Sequence, residues 1–322
     1  MRFMDPLLIA LAIKTSVGTP NPASVDPIEI RNQRSVALPF LRMPFRTRVL
    51  AAGERERNVH LSISNEMRRR AGVFEDSETT RLAYTERRGT RKGEIWFEIP
   101  FMSRGGGFLD PIIDGWHKNV LGWSDPVRDS LPMNRAVVTD GIGYRYTSGS
   151  GLGDATVGGS RDLGKNFTGS VAVKLPTGRA SRLLGSGSVD LGASVGYAKP
   201  LGKRLHFAAQ LGLVVQGHSN ELKAMSVYGL VDQQSAALIW TPNSRDSWIA
   251  QWQSERAPIR GRTGNLNGPH RMLAFGYRRQ LGRADWLELA FTEDEDVVNR
   301  RHPSIASTAP DFGVSFRYGW RF

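Results

Sequence analysis

The sequence predicts an all-β fold: a transmembrane, antiparallel, up-and-down β-barrel of about twelve strands, with one long loop carrying a short helix. Three observations lead there. Apolar and polar residues alternate with a period of two through most of residues 57–322. The connections between alternating segments are short at one end and long at the other. The third is the final stretch, Asp311 to Phe322, which reads DFGVSFRYGWRF. Successive residues of a strand point to opposite faces. Phe312, Val314, Phe316, Tyr318, Trp320 and Phe322 therefore share one face, and Gly313, Ser315, Arg317, Gly319 and Arg321 the other. A wholly apolar face against lipid and a small or cationic face toward a lumen is what a barrel strand needs. The aromatic Phe322 also suits the signal by which outer-membrane barrels are recognised for insertion. Barrel-assembly machinery is thus an expected partner through this strand.

Composition excludes several classes. The 322 residues include no cysteine, which removes disulfide scaffolds, thiolate metal sites and cysteine nucleophiles. No run of about twenty apolar residues exists, so no transmembrane helix is expected. A mean hydropathy of −0.34 is compatible with strands that are half apolar. The net charge is +12 and the pI about 10.3. Nucleic acid is the first partner to test against such a balance. However, the Lys and Arg are scattered, with their densest knot at Arg68, Arg69 and Arg70, and no helix-turn-helix, zinc finger or basic zipper is visible. The expectation is no nucleic acid, and a charged rim that meets solvent, outer-membrane lipid and the phosphates of lipopolysaccharide.

Residues 1–18 read MRFMDPLLIALAIKTSVG, with Arg2 and the run Leu7 to Ile13 standing where a secretory signal has its n- and h-regions. Asp5 and Pro6 interrupt it, so the expectation is a degenerate signal peptide. Residues 19–56 are rich in proline and charge. Pro39 and Pro44 deny this stretch a place as a central strand, and it reads as a periplasmic tail or a plug tucked into the barrel.

The barrel is expected over 57–322. Val59, Leu61 and Ile63 open the series, followed by Leu82 and Tyr84, then Ile95, Phe97, Ile99 and Phe101. Later apolar rows are Val171 and Val173; Val189 to Tyr197; Leu205 to Leu213; Leu238 and Trp240; Trp248 and Trp252; Leu273, Phe275 and Tyr277; and Leu287, Leu289 and Phe291. Each spans roughly 9–13 residues, the length of a tilted membrane strand. The tight links fall at 88–91, 164–165, 200–203, 243–245 and 282–283, the long ones at 66–77, 102–151, 176–187, 216–223, 256–269 and 293–311. Short turns at one end and long loops at the other, with an even strand number, are the layout of an outer-membrane barrel. The predicted location is the cell outer membrane.

The inward rows carry the charges: His60, Ser62 and Arg81; Glu94 and Glu98; Lys174; Asp190; His206 and Gln210; Arg278; Glu288; Arg317 and Arg321. In lipid each charge would cost several kcal/mol, about 2.5 or more at mid-bilayer. Many other inward positions are small, notably Gly158, Ser160, Ala172, Gly192, Ser194 and Gly196. They leave space, for water or for a folded-in segment.

The period breaks at 102–151. Asp110 and Pro111 suit the N-cap and first position of a helix over 110–121. Leu109, Ile112, Ile113, Trp116 and Val120 share one face, and the sequence makes Ile112, Ile113, Trp116 and His117 the candidate plug or constriction. Asp110, Asp114 and His117 share the other face. Two carboxylates and one His make an incomplete metal site, so a solvated face is favoured and no metal is expected.

Several motifs, read together, resemble an uncharacterised family of Gram-negative outer-membrane barrel proteins, a domain of unknown function. They are Ile30-Arg31-Asn32-Gln33 with Leu38-Pro39-Phe40, and Gly106-Gly107-Phe108-Leu109-Asp110 with Trp116-His117. Gly151-Leu152-Gly153-Asp154, Leu175-Pro176-Thr177-Gly178 and Gly185-Ser186-Gly187 complete the set. The resemblance covers roughly residues 28–322 and implies a barrel and a location, with no activity or site residues.

For chemistry, Gly151-x-Gly153 and Gly185-x-Gly187 are not phosphate loops, since no Gly-Lys-Ser/Thr follows them. No cofactor is expected. His60 and Ser62 share a strand face, as a Ser activated by a His would in a membrane lipid hydrolase. Such a site must meet lipid, and here Val59, Leu61 and Ile63 take that face. Glu94 with Glu98, and Lys174 with Asp190, can line a passage or form an internal web of ion pairs. The favoured function is passive passage or binding of a small or amphiphilic solute. The alternatives are a lipid hydrolase using His60 and Ser62, and a structural envelope protein.

Overall fold

The computed structural model describes residues 25–322 except 71–72, 117, 120–121, 123–128, 223, 261–268 and 295–311. Twelve strands form its wall: β1 (Arg55–Arg70), β2 (Val73–Thr90), β3 (Gly93–Gly105), β4 (Thr156–Gly164), β5 (Phe167–Lys174), β6 (Asp190–Pro200), β7 (Leu205–Val215), β8 (Leu230–Trp240), β9 (Asp246–Glu255), β10 (His270–Gln280), β11 (Asp285–Asp294) and β12 (Phe312–Arg321). Every strand pairs antiparallel with its neighbours in sequence. The ring closes where β1 meets β12, from Glu56↔Arg321 to Asn65↔Phe312. Closure satisfies the backbone groups that an open sheet would present to lipid.

Tight turns sort to one end. Lys165 and Asn166 both take positive φ, 52° and 69°, between β4 and β5, which is the backbone of a two-residue hairpin turn matched to strand twist. Aromatic pairs gather near this short-turn end: Phe167 with Tyr197 at 4.9 Å and Trp248 with Tyr277 at 4.7 Å between centroids. Such rings mark the interfacial girdle of a membrane barrel.

Sidedness follows the period of two. Val171, Leu211 and Phe275 are 62%, 68% and 56% exposed on the convex face, while Glu288 and Asp190, facing inward, are buried. Of the charges expected inward, His60, Arg81, Glu94, Lys174, Asp190, Arg278, Glu288 and Arg317 are buried, and Glu98, His206 and Arg321 are half-buried. Also buried are apolar side chains that the alternation alone does not flag, among them Ala208, Val214, Val231, Ile239 and Ile249.

The first hairpin departs from the sequence expectation. Residues 66–77 were expected as a loop, yet β1 and β2 stay paired from Arg55↔Arg88 to Arg70↔Val73. The extension carries Glu66, Glu75, Asp76, Ser77 and Glu78, which are buried beneath other loops. With no apolar row to face lipid, it has no membrane-strand signature. Residues 137–139 add to its edge by pairing with β2, and 145–146 pair back on them.

The core is inside the ring. Residues 25–50, with no regular secondary structure, run up the lumen, turn at 34–40 and run back down into β1. Ile28, Ile30 and Phe45 pack against Ala208, Ala237, Ile239, Ile249 and Ala274 of the wall. Leu41 and Met43 pack against Trp96, Val214 and Val231. At the long-loop end Val36 and Phe40 join Val138, Leu183, Leu222, Met225 and Ile259, which seal the mouth. Burial there pushes the Tyr144 phenol above its usual pKa.

Candidate functional site

The lumen and the segment that fills it are the candidate site. Residues 25–50 have backbone groups but no neighbouring strand to bond them, and buried backbone polar groups must find partners. Wall side chains supply them. Gln251 accepts from the Ile28 N–H (2.9 Å) and donates to the Ile28 carbonyl (3.0 Å). Gln233 accepts from the Met43 N–H (2.9 Å) and donates to the Leu41 carbonyl (3.2 Å). Gln210 accepts from the Arg46 N–H, Asp190 from the Leu41 N–H, Glu94 from the Leu50 N–H and Glu66 from the Ser35 N–H. These side chains stand in for a strand edge.

Ion pairs add a second set of ties. Arg34 binds Glu75 through Nε at 2.9 Å, with Glu66 at 3.8 Å. Arg42 pairs with Glu255 at 2.7 Å, Arg48 with Asp26 at 2.7 Å, and Arg46 with Glu29. Asn32 meets His270 at 2.6 Å. Small wall residues make room. A Cβ on Gly196 would collide with the Arg46 carbonyl, and one on Gly192 with the Met43 side chain.

The predicted lumen residues fall into three groups. Glu94 and Glu98 hold Arg87 and Arg81, and Glu94 also reaches the segment. Glu288 is shared by Arg278 (Nε, 2.9 Å) and Arg317 (3.7 Å), while Arg321 pairs with Glu56 at 2.6 Å. Lys174 and Asp190 belong to a latch. The Lys174 ammonium lies 2.6 Å from Asp154, 2.6 Å from Ser186 Oγ, 2.9 Å from the Ser188 carbonyl and 3.5 Å from Asp190. The latch joins the Gly-Leu-Gly-Asp and Gly-Ser-Gly motifs and fixes the loop after β5. His206 sits half-buried near the short-turn end of β7.

His60 and Ser62 face the lumen. Ser62 donates to the Arg81 carbonyl at 3.4 Å, and among the described residues no hydrogen bond joins Ser62 to His60. Helix α1 spans Asp110–Trp116 and is tied to the β1–β2 hairpin. Asp110 accepts from Asn65 (2.8 Å) and from the Asn134 N–H (2.7 Å), and Glu78 accepts from the Phe108 and Leu109 N–H groups. Ile113 is buried and Ile112 is exposed. Asp114 pairs with Lys118. His117 lies outside the described residues, as does the stretch read as a signal peptide.

Sequence reasoning raised the segment as a plug and placed Glu94, Asp190 and Gln210 inward, but it singled out neither them nor the other residues as its anchors. Gln233, Gln251 and Gln253 alternate on β8 and β9 facing inward, and that inward glutamine row was the available signal.

The model of a family described as a protein of unknown function, DUF3187, matches residues 10–322. The chain belongs to the DUF3187 family. No curated protein matches it in sequence. Among solved structures it is similar to the COG4313 outer membrane channel from Pseudomonas putida F1, at 13% identity and TM-score 0.55, covering 88% of this chain and 100% of that one. That likeness shows the fold, an outer-membrane-type barrel. Two more distant likenesses are the NanC porin (11% identity, TM-score 0.42, 82% and 97% coverage) and the toluene transporter TbuX from Ralstonia pickettii (8%, 0.42, 85% and 90%). This DUF3187 chain thus combines an outer-membrane-type barrel wall with a lumen filled by its own residues 25–50.

Proposed function

We propose that this DUF3187 protein is a self-plugged channel of the Gram-negative outer membrane, passing or binding a small or amphiphilic solute. Its short turns face the periplasm and its long loops the exterior, where the basic rim meets lipopolysaccharide. The β12 strand ending in Phe322 engages the barrel-assembly machinery. One observation carries the reading: the filling of the lumen hangs on side chains. A structural barrel has no need of a separable core. A strand woven into the sheet could not leave without opening the wall, whereas residues 25–50 can withdraw with every wall ladder intact. The Pseudomonas putida relative in fold is described as an outer membrane channel, which supports the same direction.

The test is electrical. Purified protein, shown folded by heat-modifiable gel mobility, is reconstituted in planar bilayers and in liposomes. Discrete conductance events and solute-dependent swelling are expected, with fractionation in outer membrane. A folded protein that stays silent, including after the segment is loosened as below, leaves the structural-envelope reading in its place.

A further inference from the structure

A cavity of about 60 Å³ lies between the ascending and descending limbs of the segment and the wall formed by β1, β2, β3 and β12. At roughly 10–15 Å³ for each water it has room for a small polyatomic ion. Its lining is unusual in what it leaves unbonded. Arg31 Nε, Arg46 Nε, Arg81 Nε and Asn58 Nδ2 are buried donors that make no hydrogen bond, Arg46 Nε lying 3.9 Å from the Glu94 carboxylate, and the residues that carry them all line this cavity. Asn58 Oδ1 already accepts from Arg317 Nε at 3.1 Å, which turns its amide nitrogen the other way. His60 Nε2 is a fifth unpartnered buried atom in the same lining, and with its proton there it donates as well.

Charge points the same way. Two carboxylates, Glu29 and Glu98, line the cavity beside Arg31, Arg42, Arg46, Arg81 and Arg317; Arg46 is paired with Glu29 and with Glu94 (3.9 Å), and Arg81 with Glu98. Arg317 shares Glu288 with Arg278. Arg31 makes no ion pair among the described residues, and its Nη2 donates only to the Leu38 (3.1 Å) and Phe40 (2.7 Å) carbonyls. Buried donors left unmade are costly, and more so when charged. Several of them around one void, with positive charge in excess, describe a receptor for something that only accepts.

We propose that this cavity is a binding site for one small oxyanion, a carboxylate or a tetrahedral phosphate- or sulfate-like ion, bridging Arg31 and Arg46 of the segment to Asn58, His60 and Arg81 of the wall. The site stands whether or not the barrel conducts. A bound anion ties the plug to the wall across its middle, so the plug is held hardest when the anion is present.

The full-length protein in detergent is titrated calorimetrically with inorganic phosphate, sulfate and acetate at fixed pH and ionic strength, with chloride as the balance. One saturable site per chain and a saturable rise in melting temperature are expected for at least one oxyanion, and the responding anion tells tetrahedral from planar. Arg31→Gln is expected to weaken binding at least tenfold, while Arg279→Gln, on an exposed arginine, leaves it unchanged. Asn58→Asp tests the site without disturbing the segment's anchors. It puts a carboxylate in the cavity and is expected to abolish anion binding and remove the anion dependence of the melting temperature. No saturable binding by any of the three oxyanions overturns the proposal. So does binding that survives Asn58→Asp, whether or not Arg31→Gln folds.

Discussion

At the residue scale, two glutamines do what a strand edge would do. Gln251 and Gln233 each use both ends of one amide, so each satisfies a backbone donor and a backbone acceptor of the lumen segment. Replacing either by Ala leaves a buried N–H and a carbonyl unpaired, at a cost of about 1–3 kcal/mol for each group. The penalty falls on the plugged state, because a withdrawn segment is bonded by water. Gln251→Ala with Gln233→Ala is therefore expected to raise the frequency of conductance events while the heat-modifiable shift of the barrel persists. An unchanged event frequency would mean that the segment is held by other groups. These glutamines also explain what was legible. Alternation assigns His60, Lys174, Arg278 and Arg317 to the inward rows, and all four are buried; alternation reports which side a residue faces. It does not report what the residue meets. Inward Ser and Gly fit a water-filled lumen and a filled one equally, and the inward glutamines only hint at a bonded segment; the packing of residues 25–50, with its close approaches at Gly192 and Gly196, decides for the filled one.

At the element scale, the segment and the loop after β5 are each fixed by a few identifiable contacts. The absence of cysteine makes the segment easy to lock. Met43 Cγ lies 3.2 Å from where a Cβ on Gly192 would stand, and a disulfide sets a sulfur about 3 Å from its partner's Cβ. Met43→Cys with Gly192→Cys is expected to oxidise spontaneously, to abolish conductance, and to recover it on reduction. Conductance that persists in the oxidised form would show that solute does not need the segment to move. The Lys174 latch makes a separate prediction. Lys174→Met leaves Asp154 and Asp190 buried without their cation, and breaking a buried pair this way costs about 3–5 kcal/mol. Thermal unfolding should begin lower, and residues 175–189 should become the first site of proteolysis. The first hairpin shows why some of an element escapes sequence reading. Above the lipid, β1 and β2 no longer need an outward apolar row, so Glu66 to Glu78 read as loop while they remain paired.

At the scale of the molecule, apolar exterior and polar interior invert the order of a soluble protein, with a conventional core restored only by the segment. Leu211 stands 68% exposed on the wall. Leu211→Arg is expected to destabilise the barrel in vesicles by about 2–4 kcal/mol, the cost of a cation near mid-bilayer. Reversible urea unfolding measures it, and no effect would remove that face from hydrocarbon. The fold class was readable because membrane strands repeat one simple rule many times over. The lumen was not, because its contacts join residues such as Ile28 and Gln251 that lie 223 positions apart.

The path of the segment also has a mechanical meaning. Asp26 sits at the short-turn end beside Arg48, and the ties above it come in series: Gln251, then Gln253, then His270, then Glu75. A pull on Asp26 from the short-turn end loads these bonds one after another, like the teeth of a zip. The descending limb runs straight into β1 at the seam, and there the same tension spreads over a whole ladder at once. The filling is thus weak to force along the ascending limb and strong to force where the descending limb enters β1, so a stopper of this kind yields from one side only.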